Sequence, residues 1–210
     1  MDNLIIEVEK YVVNLLNEQL NSSHTYHNLP HTQRVVDKTK ELIESHNINE
    51  TDTNNLIIAA WFHDVGYTQS INNHEEESVK LLQSFLENHN VTKENTDTIS
   101  KIILATKMGY EPENLLEKII RDADSSHLAD KNFSDISELL RKEWELVCDK
   151  SLTESEWLSE NIKFLTTHRF YTDFASANWE NRKGKNLAQL LKSQKKLTLE
   201  TNKLKQKKVM

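Results

Sequence analysis

Residues 59–67 read Ala-Ala-Trp-Phe-His-Asp-Val-Gly-Tyr, and they place two ionisable side chains inside the most apolar stretch of the chain. Leu56 to Val65 reads as a strongly apolar helix that stops at Gly66, a residue suited to the position just past a helix C-terminus. Because the segment is apolar on all sides, it belongs in a core rather than on a surface. His63 and Asp64 would be costly there unless they are paired, hydrogen-bonded or next to a cation. Neighbouring helix positions diverge by about 100°, yet an ion beside the helix is within reach of both side chains. A histidine followed by a capping aspartate at a helix end is the plainer alternative, and this stretch alone does not decide between them.

Working outward, apolar residues recur at helical spacing almost throughout. Residues 3–20 form an amphipathic helix through Leu4, Val8, Tyr11, Val12, Leu15, Leu16 and Leu20. Asn21–Asn28 is a polar loop closed by Leu29 and Pro30, and His31 to His46 is a second helix. Asn49–Asn55 supplies caps for the apolar helix. Further helices are expected at about 74–89, 93–107, 113–130, 133–149, 153–168 and 184–206. His74 to Glu77 looks like a helix start, with acids in the first turn where the dipole favours them. Only 3 Gly and 2 Pro occur in 210 residues. Strand-rich folds need many tight turns, so this scarcity favours long helices joined by Asn, Ser and Thr loops.

A chain of this length fits one domain with a sizeable core. No stretch approaches the roughly 18 apolar residues that span a bilayer, and the first residues, with Asp2, Glu7 and Glu9, lack the pattern of a signal peptide. The single cysteine, Cys148, excludes an intrachain disulfide and a thiolate metal cluster, and it reads as a small buried filler. A cytoplasmic location is expected. The net charge of −7 is uneven: from Arg182 onward the chain carries +9, and residues 1–181 carry −16. That basic tail reads as a solvated helix more readily than as a nucleic-acid contact, because no aromatic residue follows Trp179 to stack on bases.

Two further polar groups stand where a helical core would prefer apolar side chains. One is Tyr26-His27-Asn28-Leu29-Pro30-His31-Thr32, and the other is Arg121-Asp122-Ala123-Asp124, which follows Ile119 and Ile120. Taken in order, a histidine, a His-Asp doublet and a distal aspartate resemble the HD superfamily, most closely its small bacterial members described as metal-dependent phosphohydrolases. The matching stretches are YHNLPHTQRVV (26–36), AAWFHDVGY (59–67), HEEES (74–78), ILATK (103–107) and RDADSSHL (121–128). HRFYT (168–172) and NRKGKN (181–186) also resemble the closer relatives.

The resemblance implies an all-α, single-domain helical HD bundle, with the metal-site region at about 24–130 and a helical extension over about 131–210 ending in the basic tail. It implies a metal held by His31, His63, Asp64 and Asp124. Asp124 is preferred to Asp122 because the family aspartate follows a small residue, here Ala123. Asp122 then becomes a candidate for orienting a ligand or water. Two imidazoles and two carboxylates suit one divalent ion such as Mn, Fe, Co, Ni or Zn. The implied reaction is hydrolysis of a phosphate ester, of a nucleotide or related small phosphometabolite, by a water the metal activates.

Asp64 would both ligate and orient, and His74 or Glu75 could serve as general acid or base, although HEEES also fits a solvated helix start. Lys107, Arg121, Arg169, Lys183 and Lys185 are candidate phosphate contacts, although each such residue is more often a surface charge. His27 and His127 are candidates for the site wall, whereas His24, His46 and His89 are expected at the surface. Two-metal members carry extra histidines between the doublet and the last aspartate, and here only His74 and His89 fall in that interval. One metal is therefore expected. A metal- and nucleotide-binding sensor that turns nothing over, and less readily a diiron oxygenase, are the alternatives. A homodimer is open, and no membrane partner is expected.

Overall fold

Asparagine and threonine caps divide the chain into helices much as glycine-poor loops require. Asn28, Asn49, Thr92, Asn114 and Thr153 each accept a backbone N–H from the first turn of a helix, and Thr153 forms a reciprocal capping box with Glu156. The computed structural model describes residues 2–209, with side chains described for 3–203.

Among the described residues there are nine α-helices and no strand. They are α1 (Asp2–Gln19), α2 (Leu29–Glu44), α3 (Glu50–Phe62), α4 (His74–Leu86), α5 (Lys93–Leu104), α6 (Leu115–Asp124), α7 (Phe133–Val147), α8 (Glu154–Thr167) and α9 (Asp173–Val209). Two short 3-10 turns, Val65–Thr68 and Ser125–Ala129, follow α3 and α6. No described helix is long and apolar enough to cross a membrane.

Helix α3 is the centre. Every residue from Asn54 to Phe62 is buried, and α1, α2, α4, α5 and α6 all pack against it. That explains why its sequence shows no polar face. Val8 and Val12 of α1, Val35 and Leu42 of α2, Leu82 of α4, Ile99 and Ile103 of α5, and Ile119 and Ile120 of α6 close the core around it. Leu165 of α8 and Trp179 and Leu190 of α9 belong to the same apolar cluster.

Several boundaries differ from the sequence reading. Helix α3 ends at Phe62, and Gly66 is not its C-terminal residue. Gly66 instead lies within the 3-10 turn, against the start of α4, where a Cβ would meet the His74 carbonyl oxygen at 1.9 Å and the Ser78 nitrogen at 2.7 Å. The expected helix at 113–130 breaks into α6 and a 3-10 turn. Helix α9 begins at Asp173, eleven residues before the expected start at Gly184. Cys148 is exposed at the end of α7 and fills no core position.

Candidate metal centre

Three helix ends bring the polar residues together. Asn28 caps α2, and this places His31 in the first turn with its ring turned inward and buried. Helix α3 stops at the His63-Asp64 doublet, and α6 stops at Asp124. His31 Nε2 lies 3.1 Å from His63 Nε2, 3.0 Å from Asp64 Oδ2 and 3.3 Å from Asp124 Oδ1. His63 Nε2 lies 3.1 Å from Asp64 Oδ2 and 3.9 Å from Asp124 Oδ1. Ligands about 2.0–2.2 Å from a metal stand about 3–3.5 Å apart; four of these five distances match that spacing, and the ligand atoms of His31, His63 and Asp124 all lie within 4.8 Å of one another.

The tautomers can be read from the partners. His63 Nδ1 is 2.9 Å from the Ala60 carbonyl oxygen, which can only accept, so Nδ1 carries a proton and Nε2 is the nitrogen facing the cluster. Arg34 Nη2 is 2.7 Å from His31 Nδ1, and a guanidinium can only donate. His31 therefore carries its proton on Nε2, inside the cluster. For His31 to hold a cation through Nε2, its proton would have to sit on Nδ1, with Arg34 turned away from it.

The electrostatics point the same way. Burial alone would raise the Asp64 carboxyl, yet the His63 and His31 rings hold it well below the usual carboxylate range. Asp124 is likewise held down to about 2 against the effect of burial, by the His31 hydrogen bond and by charge on both rings. Burial would lower His63, but the Asp64 and Asp124 charges push it up to about 9. Asp64 Oδ2 is buried and stands 3.0 Å from His31 Nε2 and 3.1 Å from His63 Nε2, sharing one small space with both ring nitrogens. Donor types and spacing both fit a divalent ion.

The rim is made by the turn after the doublet. His74 Nε2 stands 3.8 Å from Asp64 Oδ1 and 3.4 Å from Glu75 Oε1. The ring of Tyr67 stacks on His74 at 3.9 Å and on His27 at 4.6 Å. His127 sits on the wall with Nδ1 3.1 Å from the Tyr26 hydroxyl, and burial beside Arg34 brings it down to about 3.

Four expected contacts have other partners. Asp122 does not orient a ligand or a water: its buried carboxylate accepts from Tyr171 N, Thr172 N and Thr172 Oγ1, each at 2.8 Å, and so anchors the start of α9. Arg121 donates to the Thr106 and Lys107 carbonyls. Lys107 pairs with Glu76. Lys183, although a cation in the basic tail, is buried and donates to His168 O and Glu180. Arg169 and Lys185 are exposed, and Arg169 caps its own helix end through the Thr166 carbonyl. His24 is buried against Tyr67 and does not lie at the surface, whereas His46 and His89 are half-buried.

Three residues were missed. Arg34 lies one turn beyond His31 on the same helix face. Tyr67 closes the rim. Glu143, from α7, accepts Tyr26 N at 2.7 Å and His27 N at 2.9 Å and also binds His27 Nδ1. It thereby pins the loop that leads into His31. Burial opposes its charge, but the His24, His27 and amide donors hold its carboxyl far below the usual range. The unfolded chain therefore takes up a proton at a pH where the folded chain does not. Its stabilisation is complete above the ordinary carboxylate range and is lost as pH falls below it. In urea melts between pH 3 and 7, Glu143→Gln should be less stable than wild type at neutral pH and should lose less stability on acidification. Parallel curves for the two proteins would contradict this account of the loop.

Comparison with known proteins gives two matches. Residues 29–129 match the HD domain family. The fold is similar to that in a crystal structure of a Lactobacillus plantarum protein, with a TM-score of 0.65 and 18% identity over 92% of this chain and 97% of that one. At that identity the likeness speaks for the fold alone. No curated protein matches the sequence.

Proposed function

From the premise that the chain belongs to the HD family through residues 29–129, we propose that it is a metal-dependent phosphohydrolase acting on a small phosphorylated substrate, a nucleotide in the first instance. The observation that carries this reading is the convergence of His31, His63 and Asp124, whose ligand atoms lie within 4.8 Å of one another, with Asp64 Oδ2 3.0 Å from His31 Nε2. These four residues would hold a single divalent ion, Mn, Fe, Co, Ni or Zn. Among the described residues, His31, His63 and Asp124 form the only group of three or more potential ligands close enough to share an ion. When bound, the ion supplies Lewis acidity toward phosphate and lowers the pKa of water.

The protein's own groups do the rest. Asp64 has a second oxygen, Oδ1, facing the His74 side, where it can orient the attacking water. His74 stands between Asp64 and Glu75 at the half-buried rim and is placed to give a proton to the departing oxygen, with Glu75 fixing its ring. Arg34, whose Nη2 is 2.7 Å from His31 Nδ1, would offer its guanidinium to a phosphate oxygen, and its planar fork suits that contact.

The deciding measurement is the metal content of protein purified without chelator, followed by a phosphate-release screen of nucleoside mono-, di- and triphosphates with that metal restored. About one transition metal per chain with phosphate released is expected, and Arg34→Ala should raise KM more than it lowers kcat. Metal retained without turnover would shift the reading to a sensor. Two irons per chain would point to an oxygenase, and no metal at all would defeat the proposal.

A further inference from the structure

The segment between the doublet and α4 leaves the cluster at Asp64 and returns to it at His74, whose Nε2 is 3.8 Å from Asp64 Oδ1. Between these points it encloses something besides the metal point. Tyr67, Thr68, Gln69, Ser70, Ile71 and Asn72 form one wall of a cavity of about 540 Å³, which Asn21, Ser23 and His24 and the end of α7 at Leu146 and Val147 complete. A volume of this size is in the range of small-molecule sites.

The chemistry of the wall is selective. No Lys, Arg, Asp or Glu lines it, so apart from His24, which faces the Glu143 carboxylate, it has no group to balance the charge of a phosphate. It offers three carboxamides, the hydroxyls of Ser23, Thr68 and Ser70, the Tyr67 phenol, and one apolar side made by Ile71, Leu146 and Val147. Such a lining suits an uncharged group with flat apolar faces and hydrogen-bonding edges. The wall is also preformed. Gln69 N and Ser70 N both donate to the Gly66 carbonyl, at 2.8 and 2.9 Å, and Asn73 holds the left-handed conformation (φ 61°) that turns the chain into α4. Tyr67 joins the two compartments: its ring lines the cavity and also stacks on His74 at the rim of the metal point.

We propose that this cavity is the subsite for the nucleoside part of the substrate, with Tyr67 as the partition across which the phosphate reaches the metal point. The inference rests on the phosphohydrolase reading for the identity of the charged end, but binding in the cavity can be tested without turnover. The probes are adenosine, guanosine, cytidine and uridine, titrated into the full chain and followed by ligand-observed NMR.

At least one nucleoside should bind wild type. Gln69→Trp and Asn72→Trp fill the cavity from exposed positions and should each weaken that binding about tenfold or more. The metal content and circular dichroism of both variants should match wild type. Absence of nucleoside binding to wild type, or equal affinity in both variants, would overturn the subsite. So would free ribose binding as tightly as the nucleosides. Loss of the phosphohydrolase reading would show elsewhere, as metal or phosphate release missing from wild type while nucleoside binding persists.

Discussion

Asp64→Ala should yield protein that folds but retains no metal and releases phosphate more than about 100-fold more slowly than wild type, since even residues behind the ligands commonly contribute 10–100-fold. Asp64 is the one cluster residue whose two oxygens face different tasks. Oδ2 stands 3.0 Å from His31 and 3.1 Å from His63, and Oδ1 faces His74 at 3.8 Å. Removing the carboxylate takes away a metal donor and the partner of the rim histidine together. Without it, His63 loses the negative charge that raises its affinity for a proton, and neither ring has an anion beside it to balance a cation. Metal analysis and phosphate release should therefore fall together. Activity retained in a metal-free variant would refute the proposed mechanism. Asp64→Asn separates the contributions, because it keeps shape and one oxygen but loses the charge.

The second large effect is on stability. Gly66→Ala should cost about 3 kcal/mol or more, because the added methyl meets backbone atoms, which cannot swing aside as a side chain does. The contact to the His74 carbonyl oxygen would be 1.9 Å, and the contact to Ser78 N 2.7 Å. Relief requires the 3-10 turn to part from α4. That would break two 2.8 Å hydrogen bonds, from Gly66 N to Ser78 Oγ and from Ser78 Oγ to the His63 carbonyl. For a chain of this size, each kcal/mol lowers Tm by about 2–4 °C, so a fall of roughly 10 °C is expected in a thermal melt. A shift of only a degree or two would mean that the turn and α4 are not in contact as described. Because His74 moves with α4, the variant should also impair phosphate release at temperatures where it is still folded.

Much of this arrangement is legible in the residues. His63 and Asp64 stand out because they interrupt an apolar run, and the fully buried α3 is the reason that run has no polar face. His31 and Asp124 become visible only through their order relative to the doublet, since each alone resembles an ordinary residue at a helix end. Asp122 shows the limit of that reasoning. It is as buried as the ligands, yet its carboxylate serves backbone amides 49 and 50 residues away, a use that no local pattern reveals. Glu143 did leave a trace. It lies among Ile136, Leu140 and Val147 at helical spacing, so an acid occupies the apolar stripe of α7. Gly184 misled in the opposite direction. It reads as a helix boundary, but a long exposed helix absorbs one glycine at a cost of about 1 kcal/mol, and α9 runs straight through it.

The anchoring of Asp122 and of the Tyr26–His27 loop also bears on how much of the chain the site requires. Tyr26 and His27 find their acceptor 117 and 116 residues further along, and Asp122 finds its donors at Tyr171 and Thr172. The segment up to the last matched residue, 129, contains every candidate metal ligand but none of the partners in these ties. Taken alone, it would leave the His31 loop unpinned and the Asp122 carboxylate without partners. The placing of the His31 loop and of Asp122 therefore draws on α7 and the start of α9, partners that the matched segment does not itself contain.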